Sequence, residues 1–93
     1  MNLLLDTQVA LWAITDSSRL PAAARDLIAA EKTTVWVSAV SVWEIAIKHA
    51  LGRGDMPVSA RDAMRYFEES GYRLLSIAPE HAAAVEDLPP HHQ

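Results

Sequence analysis

Short apolar runs alternate with longer stretches of helical periodicity along this chain, and that alternation constrains the fold more than any other feature. Residues 2–5 form a continuous apolar run with an abrupt stop at Asp6, the mark of a short buried strand. Residues 33–38 (TTVWVS) are β-branched and aromatic, which fits a pleated, half-buried surface. Residues 72–77 supply a third strand. Between them, residues 7–14 carry Val9, Trp12 and Ala13 at helical spacing, and Asp16-Ser17-Ser18 breaks the pattern. Pro21 opens a second helix, for which Ala24, Leu27 and Ile28 form the apolar stripe.

The clearest helix spans residues 40–51. Val40, Trp43, Ile47 and Leu51 form its inward stripe, and Gly52 follows basic residues in the last turn. Residues 52–57 read as a loop. Ser59 with Asp62 three residues on resembles a capping box, opening a helix to Gly71 that faces inward through Met64 and Phe67. Pro79 begins a short helix through residue 88, stopped by Pro89-Pro90. The order β-α-α-β-α-α-β-α with apolar strands specifies an α/β layer fold around a mostly parallel sheet.

Ninety-three residues make one domain or part of one. A chain of this size buries roughly 60–68% of its unfolded surface, and an apolar content of 51% excludes disorder by composition. The absence of cysteine excludes a disulfide framework and any thiolate zinc site. Asp6 interrupts the N-terminal apolar run too early for a signal peptide. The longest uncharged run, residues 33–43, falls far short of the ~20 residues a membrane helix needs, so no membrane association and a cytoplasmic location are the expectation. A net charge of −4 argues against a generic nucleic-acid binder but not against a nuclease, because a bound cation reverses the local sign.

Two carboxylates carry the candidate chemistry. Asp6 stands where a strand gives way to a helix, at the sheet edge where ligands bind in open α/β folds. The same position suits an N-cap, worth about 1 kcal/mol, and the two roles are compatible because a carboxylate has two oxygens. Glu44 has two structural readings. With Ser41 it matches a capping box, if the helix begins that late, and it stands four residues before Lys48 in the favourable direction for an ion pair. On the helical wheel it lies about 20° from Leu51 and about 40° from Val40, at the border of the apolar stripe, where a carboxylate needs a partner. Two carboxylates about 5 Å apart repel by roughly 3 kcal/mol at an effective dielectric near 20. A proton or a cation relieves that repulsion, and Mg²⁺ or Mn²⁺ suits such oxygen ligands.

Other groups read as structural. His91-His92 has no third ligand at metal spacing, His81 reads as a surface residue, and Lys48, His49 and Arg53 make a solvated helix end. Trp12, Trp36 and Trp43 occupy core-facing positions, which favours packing over base stacking. There is no nucleophile elbow and no Gly-rich phosphate loop. An aspartate-nucleophile phosphatase needs a second Asp two residues after the first, and Asp6-Thr7-Gln8 has none; a phospho-receiver needs paired acids that residues 2–5 do not offer.

Three segments taken together, Leu3-Leu4-Leu5-Asp6-Thr7, Val37-Ser38-Ala39-Val40-Ser41-Val42-Trp43-Glu44-Ile45-Ala46-Ile47-Lys48 and Leu88-Pro89-Pro90-His91-His92, resemble the PIN-domain ribonucleases, most closely the VapC-type toxins of bacterial toxin–antitoxin pairs. The resemblance runs in order along the whole chain and is most specific over residues 41–48. It implies a PIN-like three-layer fold with a central parallel sheet, and an Mg²⁺- or Mn²⁺-dependent endoribonuclease. In it, Asp6 and Glu44 correspond to the first two acidic metal ligands, and Thr7 to the hydroxyl beside the first acid. It further implies a homodimer and inhibition by a cognate antitoxin inserting near the site. The family pattern continues past the His-His segment into an Asp-Pro-Phe-Asp type motif and further acids, whereas these residues stop at Gln93. The expectation is therefore an N-terminal portion of a single PIN-like domain, weakly active or inactive alone. Such a portion exposes apolar sheet edge and helix surface and tends to self-associate. The competing expectation is a non-catalytic module that binds an antitoxin or a second copy of itself.

Overall fold

A computed structural model describes residues 1–52, 56–78 and 80. In order, its elements are β1 (Asn2–Leu5), α1 (Thr7–Ile14), α2 (Ala22–Ala29), β2 (Thr34–Ser38), α3 (Ala39–Ala50), α4 (Ala60–Glu69) and β3 (Arg73–Leu75). The expected helix after Pro79, the His-His segment and Arg53 lie outside the described residues. The three strands form a parallel sheet in the order β1-β2-β3. This is the α/β architecture and parallel sheet that the strand–helix alternation requires.

Local chemistry sets the element ends. Asp6 caps α1 by accepting from the Val9 amide at 2.8 Å, and the chain leaves α1 through Asp16, whose φ of 52° is left-handed. Asp16 is held there by Arg25 of α2 at 2.8 Å. Ser38 is both the last residue of β2 and the cap of α3, its hydroxyl accepting from the Val40 amide at 3.0 Å. Strand and helix are thus joined with no loop between them. Gly52 ends α3 with a φ of 62°, where a side chain would be strained. Ser59 caps α4 through the Asp62 amide at 3.1 Å, as its spacing implied. That helix ends at Glu69, two residues short of the glycine, and β3 is shorter than the apolar run that suggested it.

The pleat of β2 turns Val35 and Val37 to one face, where Leu5, Ala10 and Leu11, Ile45, Ala63 and Phe67 close over them. Helices α1, α3 and α4 all pack on one another across this cluster. The other face of the sheet carries Leu4, 57% exposed, and Trp36, whose indole N–H donates to Asn2 and whose ring lies under the Arg73 guanidinium.

Helix orientation departs from the sequence reading in three places. In α1 the buried residues are Ala10 and Leu11, with Val9, Trp12 and Ala13 only half-buried. In α4 they are Ala63 and Phe67, and Met64 is 41% exposed. The largest rotation is in α3, where Ser41 and Ile45 face the core, while Val40, Trp43, Ile47 and Leu51 are exposed, Trp43 by 65%. The stripe taken for the core side is the outer side, and Trp43 is not a packing residue within these residues. The inward side is the one packed on α1 and the core: Ser41 meets Thr7, and Ile45, one turn later, joins the buried cluster.

Candidate active site

Parallel pairing aligns the strand ends: Leu5 of β1 lies beside Val37 of β2. Asp6 and Ser38 follow them directly, so α1 and α3 both start from the carboxyl edge of the sheet. The first turn of α1 and the second turn of α3 then meet. Thr7 Oγ1 lies 2.9 Å from Glu44 Oε1 and 2.8 Å from Ser41 Oγ. Asp6 is the residue before Thr7, so the chain positions of the two sequence-predicted acids lie at the same sheet edge.

The structure also fixes what else each acid does. Asp6 commits Oδ1 to the helix cap, leaving Oδ2 without a hydrogen bond among the described residues. Glu44 makes no capping box, since Ser38 caps α3 in place of Ser41. Its ion pair with Lys48 is formed, with Nζ 2.7 Å from Oε2. Both oxygens of Glu44 therefore have a donor. The Lys48 hydrogen bond first and the Thr7 hydrogen bond second hold the carboxyl below its ordinary value, against a smaller upward push from burial. Lys48, read as part of a solvated helix end together with His49, is thus a direct neighbour of the site.

A depressed folded-state pKa means that Glu44 stabilises the fold above the unfolded glutamate value of about 4.3. That contribution is lost as the pH falls through the lower folded value. The pair is partly exposed, so the expected size is only about 0.3–0.5 kcal/mol. Lys48→Met should remove most of it at pH 7 and leave stability at pH 2–3 unchanged, measured by urea unfolding. A Lys48→Met loss of the same size at both pH values would show that the pair contributes nothing.

The donors here are hard oxygens, two carboxylates with a hydroxyl between their chain positions. That set fits a small divalent cation that keeps several waters, and does not fit a thiolate or imidazole metal. Among the described residues no group of three or more His, Cys, Asp or Glu side chains is placed to hold a metal. Beside Asp6 an apolar cleft of about 220 Å³ runs between β1 and α2, lined by Leu3, Val9, Leu27 and Ile28 among others.

The chain belongs to the PIN domain family, whose model matches residues 3–93. PIN domains are typically metal-dependent nucleases and often act in toxin–antitoxin systems. No curated protein and no solved structure matches the chain. No helix among the described residues is long and apolar enough to cross a membrane.

Sequence reasoning missed Ser41 as a member of this site. In the sequence it reads only as a cap, although its place one helical turn before Glu44 puts both on the side of α3 that meets α1. That spacing was the available signal.

Proposed function

We propose that this PIN domain is the toxin of a type II toxin–antitoxin pair, an endoribonuclease that hydrolyses RNA phosphodiesters in the cytoplasm with Mg²⁺ or Mn²⁺. What supports this reading above all is the contact of Thr7 with Glu44, which brings the residue next to Asp6 against the carboxylate of α3 at the ligand-binding edge of a parallel sheet. Asp6 would hold the cation through Oδ2 while its other oxygen keeps the cap. Glu44 would hold it through Oε2 once Lys48 swings away, with Oε1 still steadied by Thr7. A bound cation supplies an activated water and charge stabilisation on the phosphate. Lys48, one helical turn from Glu44, would then be free to meet a phosphate oxygen. The apolar cleft ending at Asp6 supports an antitoxin partner that inserts a segment beside the site.

One observation favours a second reading, that of a non-catalytic self-associating module. Val40, Trp43, Ile47 and Leu51 form a contiguous exposed apolar stripe of the kind that marks protein contacts. A single preparation separates the two. Incubated with labelled structured and single-stranded RNA, residues 1–93 should cleave slowly with Mn²⁺, stop on chelation, and lose at least a hundredfold in rate on Asp6→Asn or Glu44→Gln. Cleavage indifferent to chelator and to both substitutions would overturn the metal-nuclease reading. No cleavage, together with Mn²⁺ affinity unchanged by both substitutions, would leave the self-associating module in its place.

A further inference from the structure

Ser41 is the one buried polar residue among the described residues, 6% exposed, and it sits in the first turn of α3, on the side that meets α1. Its burial is not costly in unmet hydrogen bonds, because no buried side-chain polar atom among the described residues lacks a partner. Its hydroxyl oxygen lies 2.8 Å from Thr7 Oγ1, and Thr7 Oγ1 in turn lies 2.9 Å from Glu44 Oε1. Thr7 has a single hydroxyl proton, and an ionised carboxylate can only accept. The proton of Thr7 therefore goes to Glu44, and the contact between the two hydroxyls is filled by the proton of Ser41. The three side chains form a directed chain, Ser41 to Thr7 to Glu44, across the meeting of α1 and α3.

We infer that Ser41 is a positioning residue for the metal site: by donating to Thr7 it commits the Thr7 proton to Glu44 Oε1 and so holds the carboxylate in its metal-binding orientation. This rests on the proposed role of Asp6 and Glu44 as cation ligands. Without Ser41, the Thr7 hydroxyl keeps Glu44 Oε1 as its acceptor but loses the donor that fixes its own oxygen, so Glu44 is held less firmly against Lys48, a partner that competes with the cation for Oε2. Outer hydrogen bonds of this kind commonly change metal affinity by about 10–100-fold. The chain here ends in a half-exposed carboxylate, so the lower end of that range is the expected effect.

The experiment is a calorimetric Mn²⁺ titration of the full chain and of Ser41→Ala, Thr7→Val, Thr7→Ser, Glu44→Gln and the Ser41→Ala/Thr7→Val double variant, each with its melting temperature. Ser41→Ala and Thr7→Val should each weaken Mn²⁺ binding about tenfold, while Thr7→Ser, which keeps the hydroxyl, should bind as the parent does. On the Thr7→Val background, Ser41→Ala should cost no further affinity, because the chain is already broken. A Ser41→Ala variant that melts differently but binds Mn²⁺ with parental affinity would overturn the inference, as would a full additive loss in the double variant. Parental protein that fails to bind Mn²⁺, or a Glu44→Gln variant that binds it unchanged, would instead remove the metal site itself and the inference with it.

Discussion

Phe67→Ala should destabilise the fold by about 3–5 kcal/mol, the cost of a large cavity in a core that cannot collapse around it. Phe67 is completely buried and is among the largest such side chains, alongside Ile45 and Val37. It belongs to the one cluster that joins α1, α3 and α4 to the sheet, and its ring stacks on Tyr72 at 6.2 Å between centroids. A domain of this length has a total stability of roughly 5–14 kcal/mol. The substitution therefore removes a large share of it, and unfolding at room temperature in dilute urea is the expected result. Phe67→Leu, which leaves a smaller void, should cost about 1–2 kcal/mol and give a measurable transition. Met64→Ala is the contrasting case. Met64 is on the same helix but 41% exposed, so its truncation should cost less than about 1 kcal/mol. Equal losses for Phe67→Ala and Met64→Ala in urea unfolding would mean that α4 faces the core through Met64 after all.

That pair of substitutions also locates where sequence reasoning succeeded and where it failed. The elements were legible because their signals are local. Asp6 and Ser59 cap the helices that follow them, Gly52 closes α3, and the β-branched run around Val35 and Val37 pairs as a strand. Helix rotation was not legible, because an apolar stripe is ordinarily taken to face inward. In α3 the four large apolar residues Val40, Trp43, Ile47 and Leu51 outweigh Ser41 and Ile45 on any such count. The inward side is instead the one that meets the core and α1, with Ile45 in the buried cluster and Ser41 against Thr7. In α4 the inward choice falls on Ala63, a small residue that admits close approach, beside Phe67. A stripe search gives alanine little weight.

The site divides in the same way. Asp6 was legible because a carboxylate ending an apolar strand is a local anomaly, and Glu44 because it was the lone acid on its helix. The contact of Thr7 with Ser41 and Glu44 joins residues more than thirty positions apart, which no local pattern encodes. It follows from the parallel register of β1 and β2, once Leu5 is set beside Val37.

The two roles of Asp6, cap and cation ligand, can be pulled apart by a single substitution. Asparagine is as good an N-cap as aspartate. Asp6→Asn should therefore keep the hydrogen bond to the Val9 amide and leave metal-free stability within about 0.5 kcal/mol of the parent. The response to metal should change far more. A cation that binds only the folded state stabilises it by about 2.7 kcal/mol at a hundred times its dissociation constant. For a domain of this size that corresponds to a rise of roughly 10–20 °C in melting temperature. The parent protein should show that rise with Mn²⁺, and Asp6→Asn should lose most of it, since a neutral amide oxygen replaces the charge opposite the ion. Asp6→Ala should lose the rise and about 1 kcal/mol of metal-free stability as well, because the cap goes with the carboxylate. A full Mn²⁺ shift retained in Asp6→Asn would mean that Asp6 is a cap and nothing more, and the cation would have to be sought away from the carboxyl edge of β1.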